Sequence, residues 1–341
     1  MSTILITGGA GFIGSQLAYK LIKKGNDVVL VDNMSYGRED NLYFGDVDLS
    51  LHLHKVDIRD RVYMETLFQV KKFDYVYNIA GIAPLPDCQS DPCEAVDVNI
   101  NGFVNILELS RIYGVKTVIQ ASTNAMYENV KDYPVSEDFK ELPTLIYPNT
   151  KYCAERFAQS YCDTYGMNVC CVRFANVYGP HVDCLRKQPP FVGYLIRELY
   201  YNRTPVFHSD GNQARDYIYV DDLTDLLEKV QSCKGFDTVN CSTNKSYSVK
   251  EIYDISRKIM SKDIDAEYVD AMKYWNKYPQ LYGGAYSIKP EILDHEVNKY
   301  SCCINDHAKN KYDWSPKIDM TEGMKRMIEY QVALFDTIEG K

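Results

Sequence analysis

Residues 7 to 14 read TGGAGFIG and stand directly behind the short apolar run TILIT at 3–7. No other stretch narrows the possible folds as much. Gly8, Gly11 and Gly14 recur every third residue, which lets a strand turn tightly into a helix and lets the backbone approach a ligand closely. A helix N-terminus reached in this way presents its N–H groups to a phosphate. A plain strand-to-helix turn would use the same glycines, so the trio needs support from elsewhere. NDVVLVD at 26–32 supplies it, as a second buried strand that ends on Asp32. An acidic side chain at about that spacing accepts hydrogen bonds from an adenosine ribose and repels a 2′-phosphate. The combination predicts a dinucleotide site that takes NAD rather than NADP. Asp57 and Ile58 end a third strand, LHKVD at 53–57, and either frame the adenine or form an ordinary strand-end turn.

The alternation continues. Helical patterns FIGSQLAYKLIKKG and RVYMETLFQVKK separate these strands from FDYVYNIA at 73–80, and the amphipathic stretch 93–114 leads into VKTVIQAS. A further helix runs from 147 to 166 ahead of NVCCVRF at 168–174. Such β-α-β succession predicts an α/β fold, a Rossmann-type doubly wound parallel sheet with helices on both faces. Beyond Asn176 the pattern loosens into loops rich in Pro, Gly and Tyr, with helices near 189–201, 222–232, 248–261 and 321–335. The expected division is an NAD-binding part over 1–175 plus about 216–245, and a smaller C-terminal substrate-binding lobe over 176–215 and 246–341.

Composition removes several other classes. A net charge of −9 argues against a general nucleic-acid surface, while a few local arginines suffice for a small anionic substrate. No run of eighteen apolar residues offers a membrane span. ILITGG comes so soon after the first residues that a signal peptide has no room, which makes a cytoplasmic location the default. Eleven cysteines, an odd number, with no C-x-x-C spacing, read as reduced thiols and not as a metal site. Cys170 and Cys171 sit in a strand and read as core.

Tyr147 and Lys151 stand one helical turn apart, so both side chains share a face. An ammonium beside a phenol lowers the phenol's pKa, and the phenolate can take a proton from a sugar hydroxyl as the same carbon gives up hydride. Spacing alone proves little, because 29 Tyr among 341 residues yield about two such pairs by chance and three occur. Tyr19–Lys23 lies on the first helix and reads as a solvated face, and Tyr127–Lys131 is the other decoy. Only Tyr147–Lys151 opens a helix after the fifth strand, at the carboxyl edge where open α/β sheets bind ligands.

Here the chain resembles the extended short-chain dehydrogenase/reductase superfamily, in particular its NAD-dependent nucleotide-sugar epimerases and dehydratases. TGGAGFIGS, VDN at 31–33, NIAG at 78–81, VNINGFVNILE, YPNTK, RFANVYGP at 173–180, RDYIYVDDL at 215–223 and DWSPKIDMTEG at 313–323 carry the resemblance through nearly the whole length. It implies that Thr123 hydrogen-bonds the reacting sugar oxygen, that Tyr147 is the base, and that Lys151 supports it and holds the nicotinamide ribose. Phe174 is expected against the nicotinamide, and Asn176 against the sugar nucleotide. Arg215 is expected to clamp the diphosphate as a bidentate guanidinium, with a surface salt bridge to Asp216 or Asp221 as the alternative. Asn124 is placed at the substrate. Cofactor contacts are expected from Gly8, Gly11, Phe12, Ile13, Gly14, Asp32, Asn33, Asp57, Ile58, Ala80, Gly81, Asn99, Ser122, Tyr147, Lys151 and Phe174, with Asn99 in a structural role near the active-site helix. The resemblance also implies a homodimer built from helices 93–114 and 147–166.

Three departures stand out. Glu128 occupies a position the family usually gives to glycine. Ala80-Gly81 replaces the usual Ala-Ala, which gives the backbone more freedom. KPEILDHEVNKYS lacks a clear Arg-x-Gly-Asp segment for gripping the nucleotide. The two residues after Thr123 discriminate among the reactions. Family 4,6-dehydratases place Asp-Glu there to move protons at C6 and C5, and decarboxylases keep a glutamate nearby, whereas Asn124-Ala125 can do neither. C4 epimerisation of a nucleoside-diphosphate sugar needs only the hydroxyl, Tyr147, Lys151 and room for a 4-keto sugar to turn over. The alternatives are a C4 dehydrogenase or reductase, or a dehydratase that recruits Glu128, Asp87 or Cys88 from elsewhere. A non-catalytic NAD-binding protein is the remote one.

Overall fold

The computed structural model describes residues 1–186 and 189–340. Its main sheet is built from β1 (Thr3–Thr7), β2 (Asp27–Asp32), β3 (Leu53–Lys55), β4 (Tyr75–Asn78), β5 (Thr117–Thr123), β6 (Val169–Phe174) and β7 (Phe236–Cys241). All seven run parallel in the order β7-β6-β5-β4-β1-β2-β3. The order reverses between β1 and β4, which opens a crevice at their carboxyl ends.

The inner strands are largely apolar on both sides because each side is covered. Ile4, Ile6, Val28, Leu30, Ile119, Cys170 and Val172 pack with α1 (Phe12–Lys23) and α5 (Val220–Lys229) on one face. Leu5, Val29, Val31, Val118 and Cys171 take the alternate register and pack with α2 (Arg61–Lys71), α3 (Phe103–Tyr113) and α4 (Ile146–Tyr165) on the other. Period-two alternation thus sends the adjacent Cys170 and Cys171 to opposite cores, each with no exposure. Each such buried aliphatic residue contributes about 1.5–3 kcal/mol.

The expected helix over 93–114 is interrupted. A short helix, Pro92–Val96, runs into a wider π-type turn over Asp97–Gly102 before α3 begins. Two contacts account for it. Asn99 turns inward to hydrogen-bond the backbone of Ile82, and Gly102 lies so close to Ile58 that a Cβ would sit 2.6 Å from its Cδ1. Helix α4 ends as its sequence requires, on Gly166 at φ +70°.

Past Asn176 the chain forms a smaller layer. Asn176–Tyr178, Ala214–Tyr219 and Ser246–Ser248 make a three-stranded sheet, with helices Phe191–Tyr200, Val249–Ile259 and Met320–Glu339 packed around an aromatic-rich core. A helical segment includes Met272–Trp275 and Pro290–Asn298, and its own cluster of Trp275, Tyr278, Leu281 and Leu293 rests against Leu85. No helix among the described residues is long and apolar enough to cross a membrane.

One cysteine-containing cluster has ligand-like spacing. Cys170, Cys233 and Asp237 bring ligand-type atoms within 4.8 Å of one another. The Asp237 carboxylate, however, is already taken by Lys311 at 3.0 Å, His307 at 2.9 Å and the Tyr312 hydroxyl at 2.5 Å. An ammonium in that shell already supplies the positive charge a metal would bring.

Candidate active site

The glycine turn lies at the sheet's reversal point. Gly8, at φ +68°, is so close to the end of β4 that a Cβ would fall 2.8 Å from the Ala80 nitrogen, and a Cβ on Gly14 would fall 2.1 Å from the Gly8 carbonyl. Gly11 precedes α1 without any side chain capping the helix. Its first-turn N–H groups are therefore suited to a pyrophosphate. Ile13, in that first turn, reaches the cavity at the carboxyl edge of the sheet, whereas Phe12 packs against the core of the smaller layer.

Asp32 is buried, and its two carboxylate oxygens accept from Ala10 N at 3.0 Å and Met34 N at 2.8 Å. Burial pushes its carboxyl up, and the two N–H groups pull it back down. Asn33 donates to Asp57 at 2.8 Å. Asp57 is held down to about 2, chiefly by the Arg59 guanidinium. Ile58 is 4% exposed and belongs to the core, so its contribution is the shape of that strand end.

This cavity, of about 420 Å³, opens at the carboxyl ends of β4, β5 and β6. Ile13, Gly81, Ser122, Thr123, Asn124, Ala125, Tyr147, Lys151, Phe174 and Asn176 line it from the sheet side, and Arg186, Pro190, Arg215, Glu296, Lys299 and Ser301 from the opposite side. Thr123 ends β5 in extended conformation and caps the 3₁₀ turn Asn124–Tyr127, its Oγ1 accepting from Ala125 N at 3.1 Å. Its hydroxyl also faces the Tyr147 phenol and favours the ionised form. Burial pushes that phenol up to about 12, and the Thr123 hydroxyl works the other way.

Lys151 is 4% exposed and donates from Nζ to the Ala121 carbonyl at 3.1 Å. Burial pulls it down to about 8 from its ordinary 10.5. Between those two pH values the unfolded chain therefore binds more protons than the folded one. The stability cost of the buried ammonium, on the order of 3 kcal/mol, is full below about pH 8 and fades toward 10.5. Cofactor-free wild type should accordingly gain stability relative to Lys151→Met as pH rises from 7.5 to 10.5, read by urea unfolding. A gap that does not move with pH would mean that this ammonium is solvated.

Asn99 and Gly81 serve the same corner. Asn99 accepts from Ile82 N at 2.8 Å and donates to Thr150 Oγ1 at 3.0 Å, tying the loop after β4 to α4. A Cβ on Gly81 would stand 2.9 Å from Asn99 Oδ1 and 3.1 Å from Lys151 Nζ. The glycine is thus there for space, not for backbone freedom, since Gly81 is not among the positive-φ glycines.

Other expected residues sit differently from their sequence reading. The Ser122 hydroxyl is turned away from the cavity and donates to Glu155 at 2.6 Å. Arg215 pairs with neither Asp216 nor Asp221. It lines the cavity but donates to the carbonyls of Glu296, Val297 and Lys299 at the end of helix Pro290–Asn298. Asn176 donates to the Asp216 carbonyl at 3.0 Å while lining the cavity. Asn124 lines the cavity, and its buried amide nitrogen is turned toward the Cys303 thiol. The decoy pairs are structural. Tyr19 stacks on Phe44 at 4.7 Å while Lys23 pairs with Asp46, and the Tyr127 ring is buried.

Sequence reasoning missed the charges beneath and above the site. Arg173 and Glu155 form an ion pair at 2.6 Å with side chains 5% and 4% exposed. Arg173 also donates to the Tyr127 hydroxyl at 2.9 Å, and Tyr127 donates to Asn240 at 2.6 Å. A charged residue inside an otherwise apolar strand was the available signal. Glu296 and Lys299 come from the C-terminal helical segment, where no motif announced them.

The family model described as GDP-mannose 4,6 dehydratase matches residues 5–327. The chain belongs to the NAD-dependent epimerase/dehydratase family of extended short-chain dehydrogenases/reductases. Within this family, a putative UDP-glucose 4-epimerase of Methanocaldococcus jannaschii is 29% identical over 96% of this chain and 97% of its own length. A UDP-glucuronate 4-epimerase of Thermodesulfobacterium geofontis is 27% identical over 100% and 99%. Among solved structures, the Thermotoga maritima UDP-glucose 4-epimerase with UDP-glucose matches with a TM-score of 0.86 at 29% identity, covering 98% of this chain and 99% of that one. Extended short-chain dehydrogenases/reductases of this family use a nicotinamide dinucleotide.

Proposed function

We propose that this chain is an NAD-dependent nucleoside-diphosphate-sugar 4-epimerase. The observation that carries the reading is the convergence of Thr123, Tyr147 and Lys151 on one cavity edge, with Asn124-Ala125 where an eliminating relative keeps its acid pair. Gly8, Gly11 and Gly14 would hold the dinucleotide's pyrophosphate and Asp32 its ribose, and the steric fit of the turn supports this. The bound nicotinamide would accept hydride from C4 of the sugar and return it to the opposite face. Tyr147 removes the C4 hydroxyl proton and later restores one. Lys151 holds positive charge beside the phenol and so lowers the cost of the phenolate. Thr123 donates to the oxygen as it gains charge. Arg215 grips the diphosphate on releasing the carbonyls it now holds.

The division into a dinucleotide part and a sugar-nucleotide lobe keeps the boundaries expected from sequence, and a cytoplasmic homodimer is part of the same reading. The partly exposed Val96, Ile112, Phe157 and Tyr165, on or next to the helices expected to pair, support the dimer.

One observation favours a second reading. Glu128 lines the same cavity, so a carboxylate is present after all and a dehydratase with relocated acid/base groups has a candidate. Incubating the enzyme with UDP-, GDP-, CDP- and dTDP-sugars in D2O, with NMR of the products, separates the two. Epimerisation at C4 by internal hydride return leaves the product free of solvent deuterium. Deuterium at C5 or C6 would overturn the 4-epimerase reading, and accumulation of a keto sugar with reduced cofactor would replace it with a dehydrogenase.

A further inference from the structure

Glu128 is 5% exposed, yet its side chain borders the cavity together with Asn124, Ala125, Tyr133 and Tyr147. Its Oε1 accepts the backbone N–H groups of Thr144 and Leu145, which lead directly into the helix carrying Tyr147. The carboxylate is therefore pinned at the sugar-reacting end. Its hydrogen bonds are to backbone, not to a lysine or arginine. Burial pushes its pKa up, and Lys299 attracts its charge from across the cavity. That ammonium is already paired with Glu296 at 2.5 Å. Lys151 is turned to the Ala121 carbonyl and Arg215 to the helix-end carbonyls.

If Tyr147 and Thr123 act on C4 of a hexose, the C6 group branches from the neighbouring carbon. It therefore lies at the C4 end of the cavity, on one side of C4 before the ring turns over and on the other side afterwards. A charge fixed at that end faces it in one of the two orientations. Building on the 4-epimerase reading, we propose that Glu128 is a specificity-determining residue. Its charge admits nucleoside-diphosphate sugars with a neutral C6 group and rejects those with a C6 carboxylate. A like charge placed opposite a ligand's charge is an effective means of rejection, because both charges lose water and neither gains a partner.

Glu128→Gln is the informative variant, since its amide oxygen can still accept from Thr144 and Leu145 while the charge is gone. Binding of UDP-glucose and UDP-glucuronate is measured by calorimetry in the Tyr147→Phe background, where turnover is slowed by orders of magnitude. Turnover of both is measured with Tyr147 in place. Wild-type Glu128 should favour UDP-glucose by at least about tenfold in Kd and in kcat/KM, and Gln should narrow that ratio by about tenfold, mainly through tighter UDP-glucuronate binding. A ratio that Gln leaves unchanged, or a Glu128 protein that already prefers UDP-glucuronate, would overturn the selector role and leave the 4-epimerase reading standing. Failure of both sugars to bind or turn over, with Glu128 and with Gln alike, would overturn that reading and the selector role with it. An unchanged thermal midpoint for the Gln variant excludes misfolding as the cause of any shift.

Discussion

Tyr147→Phe is expected to lower kcat by about 10²- to 10⁴-fold while leaving dinucleotide binding intact. The phenol is the one side chain that both contacts Thr123 and opens the helix bearing Lys151, so its hydroxyl is the proton acceptor the geometry provides. Removing that oxygen keeps the ring's packing and Lys151's hydrogen bond to Ala121, which is why binding should survive. The protein's own groups hold the phenol near pKa 12, mainly through burial. Turnover should therefore depend on the positive charge of Lys151 and of the bound oxidised cofactor to bring it down. Steady-state kinetics on a UDP-sugar, with cofactor content measured in parallel, tests this. A loss of less than about tenfold would place the base elsewhere, and Glu128 would be the next residue to replace.

Glu155→Leu is expected to destabilise the protein by about 3–5 kcal/mol. The Arg173 guanidinium would be left buried without its carboxylate. Burial opposes that charge, and the Glu155 hydrogen bonds and attraction more than offset it, keeping the guanidinium above its ordinary value. The same substitution frees Ser122, whose hydroxyl donates to Glu155, and loosens the end of β5 just before Thr123. Pairing it with Arg173→Met removes both charges and should recover much of the loss, because a buried pair replaced by apolar groups of similar volume is often neutral. Urea unfolding of the two single variants and the double variant gives the comparison. A single variant within about 1 kcal/mol of wild type would show that water reaches the pair.

The sheet was legible because strand registers are written locally. TILIT, NDVVLVD and NVCCVRF are apolar through most of their length, which a sheet covered on both faces requires, and the observed strands fall within a few residues of those runs. The continuous helix over 93–114 was the misreading. Its periodicity was genuine, but Asn99's bonds to Ile82 and the contact between Gly102 and Ile58 decide the backbone path there, and neither partner is nearby in sequence.

In the site, sequence by itself determined the glycine turn, the end of β2 on Asp32, and the placement of Tyr147 and Lys151 one helical turn apart on α4. Each depends on a fixed local spacing: a tight turn at a strand end, or one turn of helix. Tertiary structure alone decided which charges share the cavity. Arg215 meets carbonyls 81 to 84 positions further along the chain, Glu128 is fixed by backbone 16 and 17 residues on, and Glu296 and Lys299 arrive from the distant C-terminal helical segment. No periodicity records where a loop carries a side chain, so the missing acid pair after Thr123 could be read directly. The carboxylate that stands beside it became visible only when the chain was folded.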